Sequence, residues 1–396
     1  MKTTQFLTGL ILAGVIFTGC KKDEESAAGS SLDTLKSETK TTYSEIAYAN
    51  YSDALSTAKK LKTEIDAFVL SPSEVNLEAA KTAWLESREP YGQTEAFRFS
   101  EGPIDDSEGP EGLLNAWPLD EGYIDVTSLS DSGIVGRIGE FPDLTATVLE
   151  GANEVGGESN VAIGYHAIEF LLWGQDLSDP SDKLPGQRLF TDYTTAANYS
   201  RRGDYLKVCA VLLVDHLQGM VDEWDPSKSN NFRATFLGWD NDYAIQTVLT
   251  GIGILSKGEL AGERMFVALT NQDQEDEHSC FSDNTHRDII LNAQGIRNIL
   301  IGEYTTVDGS LVSGTSLEDV IKKNNLTLAS ELEVLSLSTI AECEVIPVPF
   351  DYALTQETVS GNGPIKGAVL KLQSQGDKIA EILEALGYSV SVELTE

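Results

Sequence analysis

Apolar positions recur every three or four residues along most of the chain. Between 43 and 68 they fall at Tyr43, Ala47, Tyr51, Ala54, Ala58, Leu61, Ile65 and Phe68, the stripe of one long amphipathic helix. Ser71-Pro72-Ser73 interrupts the pattern, and Ser73 stands where an N-cap would start a second helix running from 74 towards 99, with Pro90 and Gly92 bending it. Further helical patterns cover 140–151, 160–174, 188–224, 230–257, 285–303, 316–333 and 365–387. The last carries Ile365, Ala368, Leu372, Ile379, Ile382, Leu383 and Leu386. Residues 100–136 are different: dense in Gly, Pro and Asp and without period, they read as a long loop of the kind that packs over a site. Strand-like alternation is confined to Val345–Val348 and the tail Tyr388–Leu394. The Gly/Pro-rich break at 176–187 divides the helices, so the pattern predicts an all-α protein of two packed helical bundles, 36–185 and 186–396.

Composition narrows the class of partner. The chain of 396 residues has 28 Lys and Arg against 63 Asp and Glu, a formal net charge of −35, and phosphate backbones need the opposite sign. Nucleic acid is excluded as a partner on that ground. Residues 1–19 hold one lysine, the apolar run Phe6–Phe17 and the small pair Thr18-Gly19 before Cys20. The run is short for a membrane span and resembles a lipoprotein signal cut before Cys20, whose thiol would then carry lipid. Several acyl chains make a lasting membrane anchor. Residues 20–35 read as a flexible tether, and its lysines followed by acids are similar to those of outer-membrane lipoproteins. The expected location is the cell envelope, at the outer membrane, facing the periplasm or the surface. Cys209 sits in an apolar helical pattern and reads as a buried thiol; Cys280 and Cys343 are either a disulfide or two free thiols.

Ligand-type residues gather in three places. His166 and Glu169, three apart in a helical context, point to one side; together they can share a metal ion, or the carboxylate can orient the imidazole. The apolar run Phe170-Leu171-Leu172-Trp173 encloses them. Trp84, Arg88, Tyr91 and Glu95 form one helical stripe, in which Glu95 could add a third oxygen ligand and Arg88 could neutralise it or grip an anion. The same stripe can equally be bundle packing with a structural ion pair. Third come Gly262-Glu263-Arg264-Met265 and the segment with His278, Cys280, Asp283 and His286, whose spacing is not that of a compact zinc site. Glu275-Asp276-Glu277 beside it reads as a solvated acidic turn, one that could also collect cations.

GYHAIEFLLWGQD resembles the Gly-x-His-x-x-Glu signature of the imelysin family of bacterial envelope proteins, as do YGQTEAFRFSEGPID and NAWPLDEGYID. GERMFVAL and DEHSCFSDNTHRDI are similar to its iron-regulated subgroup. The resemblance covers nearly all of the chain after the tether. It implies two helical bundles with a site between them and carries over Trp84, Arg88, Glu95, His166 and Glu169, with Arg264, Asp283 and His286 from the subgroup segments. His166, Glu169 and Glu95 are then the expected metal ligands, with Trp84, Arg88, Tyr91, Arg264, Asp283 and His286 around the ligand. The implied function is a lipid-anchored protein that binds iron, or an iron-containing ligand such as haem or a chelate, and works with envelope iron-transport components. The alternative is a metal-dependent peptidase using His166 and Glu169, although the segment lacks the second histidine of a zinc-peptidase helix.

Overall fold

Ser31 opens the first helix: its side chain accepts from the Thr34 N–H, and the helix runs Leu32–Leu70 over 39 residues, roughly 58 Å at 1.5 Å per residue. The structure is a computed structural model that describes residues 31–395 apart from 107, 108, 129 and 131. The expected signal, Cys20 and the tether as far as residue 30 lie outside the described residues. Residues 32–35 are already helical, not tether, because Leu35 turns into the core.

The chain turns back at 71–73, and Ser73 caps the helix Glu74–Thr94 as its position suggests. This helix does not reach 99. It tightens into a 3-10 turn at Glu95–Phe97, and Phe99 then takes a left-handed backbone that no helix can continue through. Tyr199–Trp224 packs on the long first helix as well, although it lies beyond the break at 176–187. A second group is built from Asn241–Ile254, extended through a π-helical segment Leu255–Phe266 into Val267–Asn271, together with Leu326–Glu344 and Pro364–Ala385. Thr285–Ile301 lies between the groups, against Glu74–Thr94 and Leu326–Glu344. One apolar cluster extends from Leu35 to Leu394, and a smaller one from Leu260 to Leu372 fills the second group. The fold is almost wholly α-helical, with two packed groups of helices.

Other local expectations fail: the pattern at 230–257 breaks at Trp239-Asp240 into Phe232–Gly238 and Asn241–Ile254, and that at 188–224 is α-helical only from Tyr199, after a 3-10 turn at Phe190–Tyr193. The pattern at 316–333 is two helices, Leu317–Asn324 and Leu326–Glu344, because the Asn325 side chain accepts from the N–H groups of Thr327 and Leu328 and starts a new helix. The strand-like segments at 345–348 and 388–394 do not pair among the described residues; Pro347 and Pro349 remove donors, and the tail enters the helix Val392–Thr395. The β pairing present is the hairpin Glu303–Thr305 with Leu311–Ser313, Tyr304 facing Val312.

One crossing matters for the site. Glu74–Thr94 meets Thr285–Ile301 at Gly295, where a β-carbon would lie 2.4 Å from the Gln93 carbonyl oxygen. Only glycine permits that approach, and it brings Arg88 and Asp288 into contact. No helix among the described residues is long and apolar enough to cross a membrane.

Candidate functional site

The helix Tyr165–Trp173 is buried along its whole length. It begins at Gly164, whose φ of 93° and whose approach to the Leu114 carbonyl, 2.7 Å from an added β-carbon, both demand glycine. The long 100–136 segment is thereby pressed against the start of the helix. His166 Nδ1 lies 2.8 Å from Glu169 Oε2, and Glu169 Oε1 accepts from the Ser282 N–H at 2.9 Å and the Ser282 hydroxyl at 2.7 Å. Burial pushes the Glu169 carboxyl up to about 8, with Ser282 opposing. Burial, aided by the Arg88 charge, lowers the His166 imidazole to about 3. Both shifts favour uncharged forms, so near neutral pH the pair carries no net charge. His166 Nε2 is buried and has no hydrogen-bond partner. Leaving such an atom unsatisfied costs about 1–3 kcal/mol.

The His278 ring stands edge-on to His166, with centroids 4.7 Å apart. Its Nδ1 is 2.9 Å from Asp288 Oδ2, and its Nε2 is 3.4 Å from the Asn115 amide nitrogen. Asp288 Oδ1 accepts from Arg88 Nε at 3.2 Å and Nη2 at 3.0 Å, while Oδ2 also accepts from the Ser279 hydroxyl at 2.5 Å. Burial alone would raise the Asp288 carboxyl, but Arg88, His278 and Ser279 outweigh it and hold it far below the usual range. Arg88 Nη1 donates to Asn115 Oδ1 at 2.6 Å, and its guanidinium lies 5.0 Å from the Tyr165 ring centre.

Glu95 closes the far side. Its Oε2 accepts from Arg264 Nη2 at 2.6 Å, with Arg98 at 3.5 Å, and Oε1 is 3.4 Å from the Asn115 amide. Burial opposes ionisation, yet Arg264 and Arg98 bring Glu95 down to about 2. The π-helical segment delivers Arg264 and Glu259 together: Arg264 also donates to Glu259 Oε1 at 3.0 and 2.9 Å and to Asn292 at 2.8 Å. Such widened turns recur at functional sites.

The structure thus joins Arg88, Glu95, His166, Glu169 and Arg264 in one buried polar region. Glu95 stands in it as the partner of two arginines, and Glu169 as the group that orients His166. Trp84 and Tyr91 form its wall: the Trp84 indole donates to the Tyr165 carbonyl at 3.0 Å, and Tyr91 stacks obliquely on Tyr165 at 4.6 Å. His286 remains apart, its Nδ1 3.1 Å from the Asp283 carbonyl at the start of its own helix. Asp283 belongs to a different cluster, with Asp176 and Asp351. Glu277 is not solvated but 1% exposed. Cys209, Cys280 and Cys343 are free thiols. Asn115, Asp288, Ser282 and Glu259 carry much of the network and stand out in the sequence by nothing except a polar residue on an apolar helix face at Asp288. The half-buried Trp117 of the long segment lies edge-on to His278 and donates to the Glu277 carbonyl at 2.7 Å, so this segment does pack over the site.

The imelysin family pattern matches residues 47–379. Iron-regulated protein A of Synechococcus elongatus is 24% identical over 348 residues, spanning 86% of this chain and 82% of that protein. A crystal structure assigned as an iron-regulated protein A precursor from Parabacteroides distasonis superposes with a TM-score of 0.70 at 20% identity, covering 90% of this chain and 97% of that one. An imelysin-like protein from Psychrobacter arcticum gives a TM-score of 0.60 at 16% identity, covering 91% and 98%. The two solved structures share the fold of this chain.

Proposed function

This chain belongs to the imelysin family, and from that premise we propose that it is a lipid-anchored envelope protein that binds iron or an iron-containing ligand for uptake. The binding place is the buried polar region around His166, where the two helical groups meet. The likeness to iron-regulated protein A supports the cargo. The observation that carries the site is His166 Nε2, buried and unpartnered on an uncharged imidazole whose other nitrogen faces Glu169. A carboxylate behind an imidazole is the arrangement that aims a histidine at a metal ion, and binding there would release the proton that burial keeps on the pair. On this reading His166 is the ligand and Glu169 its orienter, while Glu95, neutralised by Arg264, acts on the charge of the region and not as a ligand. Both Glu169 oxygens are engaged, which leaves no free carboxylate beside His166 to activate water and favours holding over hydrolysis. The envelope location rests on Cys20, and envelope iron-transport components would take the cargo onward.

The test is calorimetric titration of chelator-stripped protein with Fe2+ under anaerobic conditions, haem and a ferric chelate serving as parallel arms. His166→Ala should abolish binding of the true cargo, and Glu169→Gln should weaken it by roughly 10–100-fold. Unchanged binding in folded His166→Ala would move the site elsewhere. Metal-dependent cleavage of unstructured peptides, lost in the same variant, would put the peptidase in its place. For the anchor, Cys20→Ser should lose metabolically incorporated fatty acid and leave the membrane fraction.

A further inference from the structure

A second cluster of acids lies behind Ser282. Asp176 follows the helix that bears His166 and Glu169, Asp283 precedes the helix Thr285–Ile301, and Asp351 begins the helix Phe350–Gln356. Each offers one carboxylate oxygen, and the three oxygens lie within 4.8 Å of one another. Asp176 and Asp351 are buried, whereas Asp283 is half-buried and opens the cluster to solvent.

Acids in a group are common, but a buried carboxyl without a partner facing their charges, as Glu277 is, is not. Glu277 is 1% exposed, and neither of its oxygens has a hydrogen-bond partner in ordinary geometry, the Thr285 hydroxyl giving only a partial contact. The charges that bear on this buried carboxyl are those of Asp351, Asp283 and Asp176. In turn Asp283 is pressed by Asp351 and Asp176, and Asp351 by Asp176. The basic group acting on Asp351 is Lys183, whose ammonium sits 3.7 Å over the Tyr352 ring. Asp176 is held through Oδ1 by the Ser178 N–H at 3.0 Å, and Asp351 through Oδ1 by the Tyr352 N–H at 2.5 Å.

We propose that Asp176, Asp283, Asp351 and Glu277 form a site for a hard divalent cation of the calcium class, distinct from the iron region around His166. The donors are all oxygens, with no imidazole or thiolate among them, the set that selects calcium-type ions over the later transition metals. They come from separate stretches of chain, which suits the large and adaptable coordination shell of calcium. The bound ion ties the end of the His166 helix, the turn before Thr285 and the second helical group to one point. Asp283 adjoins Ser282, so the same ion steadies the donor that holds Glu169. The proposal does not rest on the iron reading.

The full chain, stripped with a calcium chelator, is titrated with Ca2+ by calorimetry and melted with and without it. One Ca2+ per chain and a raised melting temperature are expected. Glu277→Gln and Asp283→Asn should each weaken binding by roughly 10-fold or more, while His166→Ala leaves Ca2+ affinity unchanged. Absence of any heat or melting shift with Ca2+, Mg2+ or Mn2+ in the parent would overturn the site. So would Ca2+ binding that survives Asp283→Asn together with Glu277→Gln, or that disappears in His166→Ala. Binding of Fe2+ but not Ca2+ at these residues would overturn the class of ion. If Asp351→Asn fails to fold, the half-buried Asp283→Asn decides. Fe2+ titration of the same variants separates loss of this site from loss of the His166 region.

Discussion

Two groups of buried carboxylates lie close together in this protein and have been solved in opposite ways. Glu95 and Asp288 are surrounded by Arg88, Arg98 and Arg264 and stay ionised, Glu95 down to about 2. Asp283, among Asp351 and Asp176, is pushed by burial and by those like charges up to about 8. Burial acts upward in both places, and the neighbours decide the sign. The first group is complete in itself; the second is complete only with protons or a cation.

The comparison breaks most sharply at Arg88. Arg88→Met would strand Asp288 as an uncompensated buried charge and should cost about 3–5 kcal/mol in denaturant unfolding; a loss under about 1 kcal/mol would show that the carboxylate finds another partner. Next in size is pH. In protein free of divalent ions, Asp283 and Glu169 have folded values near 8 against ordinary values of 3.8 and 4.5. The unfolded chain therefore binds fewer protons through this interval, and stability should fall as pH rises from about 4 to about 8. Asp283→Asn should flatten that slope, and an unchanged slope would place the titration elsewhere. Glu95 works in the other direction: its contribution is present above about 4.5 and is lost as pH falls through about 2. Smaller again is Glu277→Gln, which removes an acid pressed by burial and by its acidic neighbours, with only the Thr285 hydroxyl in its favour. Without divalent ions it should leave the unfolding midpoint equal or higher, and a clear drop would mean that the carboxylate already has a stabilising contact. His286→Ala should alter stability by no more than about 0.5 kcal/mol and leave Fe2+ binding as it was, because that ring serves only its own helix turn; weakened iron binding would draw His286 into the site.

Period carried most of the fold into view. The stripe from Ile365 to Leu386 appears as a helix with nearly the expected bounds, and that from Tyr43 to Phe68 lies within a helix that already begins at Leu32. The hairpin at 303–313 had a readable sign in Asp308-Gly309 between two short apolar runs, but each strand is only three residues long, too short for alternation to register. Within the site, His166 and Glu169 were legible because local spacing alone pairs them. Asn115 and Asp288 were not, since each acquires meaning only through Arg88, which lies 27 and 200 residues away respectively. Glu277 was misread for a related reason: three consecutive acids look solvated, and nothing local shows that the Trp117 indole pins the carbonyl of the third.

At Gly295 the helices Glu74–Thr94 and Thr285–Ile301 touch backbone to backbone, with the Gln93 carbonyl oxygen 2.4 Å from where a β-carbon would stand. A contact of that kind has almost no compliance, unlike layers of side chains that can change rotamer. Arg88 and Asp288 project from these two helices and inherit their spacing. A methyl group at Gly295 would act as a wedge several residues away from the ion pair, spreading the helix axes and drawing the guanidinium off the carboxylate. The electrostatic balance of the His166 region is therefore set mechanically, by a fulcrum that carries no charge.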